Sequence, residues 1–197
     1  MENIFERYSE LNCCKKDIDK ALSFIIDTYK KGGKVLVCGN GGSASDCEHI
    51  VGELMKGFLS ERQIKDERLS TEMTENLQGA LPAISLCSQT ALLTAFNNDL
   101  NPDYVFAQQV YGYGKENDLL IAITTSGNSK NVINAVKLAN CIGVKSIALT
   151  GNDGGQIKNL ATVSICVPAM ETYKIQEYHL PIYHYLCAKV EKEFFND

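Results

Sequence analysis

The 197-residue sequence has no apolar run near the roughly 18 residues that a membrane-spanning helix needs, so a membrane protein is not expected. Its start, Met1-Glu2-Asn3-Ile4-Phe5-Glu6-Arg7, lacks the apolar core of a secretory signal, and the expected compartment is the cytoplasm. Positive charge is not in excess. The net charge is −5, whereas a nucleic-acid surface calls for a basic patch. No Gly-Lys-Ser/Thr element is present, which disfavours nucleotide hydrolysis on a P-loop. None of the eight cysteines stands in Cys-x-x-Cys spacing. Five of them (Cys38, Cys87, Cys141, Cys166 and Cys187) lie in apolar stretches, where free cysteine acts as a small buried hydrophobe. Neither a disulfide framework nor a cysteine-ligated zinc cluster is expected. Linkers and low-complexity tracts are missing too, which leaves a single domain over 1–197.

What is present alternates. Short apolar, β-branched runs at 34–38, 81–86, 119–124, 145–150 and 163–167 read as five strands. Helical spacing of apolar residues predicts helices over 3–31 (with a break near Asn12-Cys13-Cys14), 44–56, 89–96, 104–113, 131–142 and 171–194. Strands alternating with helices specify a parallel α/β sheet, doubly wound and covered on both faces. Such sheets bind ligands beyond the carboxyl ends of their strands, where the polar turns of this chain fall. The strongly polar excursion over 59–78 reads either as a solvated helix or mobile loop, or as a flap or subunit contact.

Two turns carry the chemistry. Gly39-Asn40-Gly41-Gly42-Ser43 joins the first strand to a helix, so backbone N–H groups can approach an anion or a sugar oxygen. Thr124-Thr125-Ser126-Gly127-Asn128-Ser129 offers hydroxyls, a glycine and a helix start, a combination suited to a phosphate monoester. The alternative for that turn is a plain helix start capped by Ser129. Only three histidines are available. His49 and Glu53 share one helix face, and His184 and Gln176 lie on the terminal helix. Two imidazoles and two oxygens suit a divalent ion such as zinc, or nickel. Gln176 and His184 are about 12 Å apart along a straight helix, so a bend over 177–181, at Pro181, is expected to tip them together.

These motifs, with Asn98-Asp99, Leu149-Thr150-Gly151 and Ile175-Gln176-Glu177, resemble the sugar isomerase (SIS) domain family, and within it the phosphoheptose isomerases. The resemblance runs from the first helix to the last. It implies a flavodoxin-like, five-stranded parallel sheet and a homotetramer with active sites built between subunits. One zinc per subunit is implied on His49, Glu53, Gln176 and His184. The implied substrate site is lined by Asn40, Gly41, Gly42, Ser43, Glu53, Asn98, Asp99, Thr124, Thr125, Ser126, Ser129 and Gln176. The implied reaction converts D-sedoheptulose 7-phosphate to D-glycero-D-manno-heptose 7-phosphate through an enediol, opening nucleotide-activated heptose synthesis. Glu53 and His184 are the expected catalytic pair. One departure from the family pattern is Lys56, in the region where an arginine often follows the helix glutamate. Competing readings are another phosphosugar isomerase, a phosphosugar-sensing domain, and a non-catalytic relative that partners a replication initiator. Members of that last class generally lack the metal-binding histidines.

Overall fold

A computed structural model describes residues 3–195. The single-domain expectation over 1–197 therefore includes residues 1, 2, 196 and 197, which lie outside the described residues. Five strands, β1 (Val35–Gly39), β2 (Ala83–Ser85), β3 (Leu119–Ile123), β4 (Lys145–Thr150) and β5 (Val163–Cys166), form one sheet. Every pairing is parallel and the order is β2-β1-β3-β4-β5. This is the doubly wound, flavodoxin-like order. β1 and β3 are buried at every position. That explains why both read as unbroken apolar runs rather than alternating ones.

Two apolar cores sandwich the sheet. On one face lie α1 (Ile4–Arg7), α2 (Lys15–Lys30), α3 (Gly42–Met55) and the long α8 (Thr172–Phe195). On the other lie α5 (Thr90–Asp99), α6 (Val105–Tyr113) and α7 (Lys130–Cys141). Alternate residues of β1 separate accordingly, with Val35 and Val37 in the first core and Leu36 and Cys38 in the second.

The break expected near Asn12-Cys13-Cys14 within 3–31 is present and begins earlier. After α1 the chain passes through a 3-10 run, Ser9–Cys14, before α2 begins. The Asn12 amide donates to the carbonyls of Phe5 and Ser9, offering the backbone partners other than helical ones. The excursion over 59–78 is irregular apart from one exposed turn and a half of helix, α4 (Thr71–Asn76). Its exception is Arg62, which is 2% exposed.

Strand order reverses beside β1, since β2 lies on one side of it and β3 on the other. The turns after β1 and β3 therefore face one crevice, the usual ligand position in such sheets.

Candidate active site

At the turn after β1, Gly41 takes φ +57°, the left-handed region that glycine adopts freely, and α3 starts at Gly42. A side chain at Gly42 would have to displace the Gln176 amide. A Cβ there would stand 2.5 Å from Gln176 Nε2, so Gln176 of α8 rests its amide on this turn. Across the crevice, Gly127 takes φ +66°, and a Cβ on it would strike the Gly154 carbonyl at 2.1 Å. The two turns are tied directly. Asn40 Nδ2 donates to Asn131 Oδ1, and Asn131 Nδ2 donates to Asn40 Oδ1, both at 2.9 Å.

Ser129 occupies the N-cap position of α7, but its hydroxyl makes no capping bond. It lies 3.0 Å from Thr124 Oγ1. The Ser126 hydroxyl instead accepts from the Asn128 N–H at 3.2 Å. The start of α7 thus keeps backbone donors that no Ser129 side chain has taken, beside a row of hydroxyls.

Helices α3 and α8 bring His49, Glu53 and His184 together. One ligand-capable atom from each lies within 4.8 Å of the others. His49 Nε2 is 3.1 Å from Glu53 Oε1 and 3.3 Å from His184 Nε2. His49 and Glu53 are one helical turn apart, so the α3 backbone alone puts them on one face. His184 reaches them because α8 packs along α3, where its ring also meets Phe58 at 5.5 Å between centroids. Partial burial and the neighbouring His49 lower the His184 pKa, with Glu53 opposing, so a neutral imidazole is favoured. Glu53 Oε2 is buried without a hydrogen-bond partner. Two imidazole nitrogens, a carboxylate oxygen and this uncommitted second oxygen fit a divalent cation.

Behind His49 stand Tyr183 and Asp46. The Tyr183 hydroxyl lies 3.0 Å from His49 Nδ1 and 3.2 Å from Asp46 Oδ1. Burial and the adjacent Asp46 carboxylate push the Tyr183 phenol up, so it keeps its proton.

The sequence pattern of the SIS domain family matches residues 1–151. A phosphoheptose isomerase of Citrifermentans bemidjiense is 43% identical over 178 residues, covering 90% of this chain and 84% of that protein. The chain belongs to the phosphoheptose isomerase family of SIS domains. Solved structures agree with the assignment. A phosphoheptose isomerase from Francisella tularensis superposes with a TM-score of 0.81 at 34% identity, over 94% of this chain and 91% of that one. Another from Neisseria gonorrhoeae gives 0.78 at 35% identity, over 93% and 91%.

Of the residues that the phosphoheptose isomerase resemblance implies, two groups stand at the carboxyl ends of adjacent strands. Asn40, Gly41, Gly42 and Ser43 follow β1, and Thr124, Thr125, Ser126 and Ser129 follow β3. Asn98 and Asp99 are different. They end α5, which runs three residues beyond the helix expected over 89–96, and both are exposed. Their side chains bond to each other at 2.8 Å and to no other site residue. α8 runs unbroken from Thr172 to Phe195 with Pro181, the site of the expected bend, inside it. Lys56 is exposed and donates to the adjacent Gly57 carbonyl.

Asn131, Asp46 and Tyr183 were not legible as site residues. Asn131 and Tyr183 find their partners 91 and 134 positions away in the chain. Asp46 did carry a signal, since it sits three residues before His49 on the same helix face.

Proposed function

We propose that this chain isomerises D-sedoheptulose 7-phosphate to D-glycero-D-manno-heptose 7-phosphate through an enediol. The observation that carries this reading is the meeting of His49, Glu53 and His184, from α3 and α8. The phosphate lies at the start of α7, among the hydroxyls of Thr124, Thr125, Ser126 and Ser129. The sugar runs along Asn40, Gly41, Gly42 and Ser43 toward the histidines, with Gln176 resting on that turn. Asn98 and Asp99 complete the pocket from a neighbouring subunit of a homotetramer. Their exposure and their lack of contact with the cluster within one chain support this arrangement.

Glu53 removes the proton from C1 and returns it to C2. His184 protonates the carbonyl oxygen at C2 and accepts the hydroxyl proton at C1, which leaves the aldose. The unpartnered Oε2 of Glu53 supports its role as base, because it is not committed to holding the fold. The neutral His184 imidazole that its lowered pKa favours can accept the C1 hydroxyl proton and pass it to the C2 oxygen. Zinc, one per subunit, would be held by His49, Glu53, Gln176 and His184 and would supply Lewis-acid stabilisation of the enediolate charge. The reaction is cytoplasmic and opens nucleotide-activated heptose synthesis.

The test is turnover of sedoheptulose 7-phosphate before chelation, after chelation and after zinc is restored. Loss and recovery of the aldose product are expected. Binding of the sugar phosphate without turnover overturns the enzymatic reading. Turnover indifferent to the chelator removes the metal from it.

A further inference from the structure

Tyr183 is not among the residues proposed to line the substrate site, yet it is placed to decide how His49 presents itself. Its hydroxyl is shared between two neighbours on α3, Asp46 Oδ1 at 3.2 Å and His49 Nδ1 at 3.0 Å. A phenol has one proton to donate. A carboxylate can only accept, and Asp46 Oδ2 is already buried without a partner. Leaving Oδ1 unpaired as well would cost the desolvation of a buried charged acceptor. The proton therefore goes to Asp46, and the phenol oxygen faces His49 Nδ1 with a lone pair.

That contact is favourable only if Nδ1 carries the imidazole hydrogen. Nε2 is then the lone-pair nitrogen, and it points at Glu53 Oε1 (3.1 Å) and His184 Nε2 (3.3 Å). We infer that Tyr183 and Asp46 are positioning residues that fix the tautomer and ring orientation of His49, so that Nε2 is delivered to a divalent cation. This rests on the reading of the His49, Glu53 and His184 cluster as a metal site. Ring packing supports the same orientation. Tyr183 meets His49 edge-on at 5.4 Å and His184 at 5.0 Å between centroids. Outer partners of this kind typically alter metal affinity by about 10- to 100-fold.

Zinc affinity, measured by calorimetric titration of chelator-stripped protein, tests the inference without requiring turnover. Tyr183→Phe keeps the ring and its packing but removes the hydroxyl. It is expected to weaken zinc binding by about 10-fold or more while the stripped protein stays folded, its melting temperature lowered only by the unpaired Asp46 carboxylate. Asp46→Asn is expected to weaken binding similarly. The double variant should be little worse than either single one, because both residues act through one hydrogen-bond chain. Zinc affinity within twofold of wild type in Tyr183→Phe overturns the inference, as do losses that simply add, or a wild-type protein that binds no zinc. A wild-type protein that binds zinc but does not isomerise the heptose phosphate leaves this inference standing and overturns the proposed function alone.

Discussion

His179 is fully buried on α8, and neither ring nitrogen has a hydrogen-bond partner. Burial holds its pKa down at about 4, against an ordinary 6.5. The folded protein therefore keeps this imidazole neutral, whereas the unfolded chain protonates it below about pH 6.5. Stability from this group is complete above that pH and is lost as the pH falls toward 4, by roughly 3 kcal/mol in all. His179→Leu should flatten that part of the pH profile of denaturant unfolding, and an unchanged slope would contradict the assignment. At the phosphate turn, the Ser129 hydroxyl is free of capping duty. Ser129→Ala should raise the KM for sedoheptulose 7-phosphate by roughly 10- to 100-fold, the worth of one hydrogen bond to a charged group. An unchanged KM would return Ser129 to a purely structural role. Residue types at these positions were legible in sequence because hydroxyls, glycines and a helix start fall together within six residues. The partners of Tyr183 and Asn131 were not, because each pair forms only when elements far apart in the chain become neighbours.

At the scale of elements, α3 and α8 must keep register for His49 and His184 to meet, and a buried ion pair joins them. Arg62 Nε donates to Glu191 Oε1 at 2.7 Å, and the guanidinium also donates to the carbonyls of Glu53 and Leu54 at the end of α3. Glu191, seven residues beyond His184 on α8, accepts the Phe58 and Leu59 N–H groups at 2.7 Å each. Burial raises the Glu191 pKa, but those N–H groups and Arg62 outweigh it and hold the carboxyl below its usual value. Arg62 pays no part of this through an easy backbone, since its φ of +45° is unfavourable for a non-glycine residue and is held by the bonds it makes. Arg62→Ala would strand the Glu191 charge and is expected to cost about 3–5 kcal/mol in unfolding free energy. A loss below about 1 kcal/mol would show that the pair does not brace the two helices. Composition placed Arg62 in a strongly polar stretch, readable as a solvated helix or mobile loop or as a flap or subunit contact. A single buried guanidinium among exposed charges has no sequence signature, because its burial depends on Glu191, 129 residues later.

For the whole molecule, the parallel sheet was readable because strands buried on both faces must be apolar throughout, and glycine-rich turns punctuate them. The reversal of strand order beside β1 then places both polar turns on one crevice. The interruption of the first helix was less readable in extent, since Asn12 reaches back to the Phe5 and Ser9 carbonyls and so draws the break toward α1. Subunit sharing is testable at this scale. Glu53→Gln and Asp99→Asn chains, each inactive alone, should recover turnover when mixed and reassembled, because some sites then draw both intact residues from different chains. No recovery in reassembled mixtures would confine each site to one subunit. The most direct measurement of the central claim is the rate of aldose formation from sedoheptulose 7-phosphate by zinc-loaded wild-type and Glu53→Gln proteins, followed by NMR. The account predicts D-glycero-D-manno-heptose 7-phosphate from the wild type and a rate at least about 100-fold lower from the variant; near-native turnover by Glu53→Gln, or none by the wild type, would contradict it.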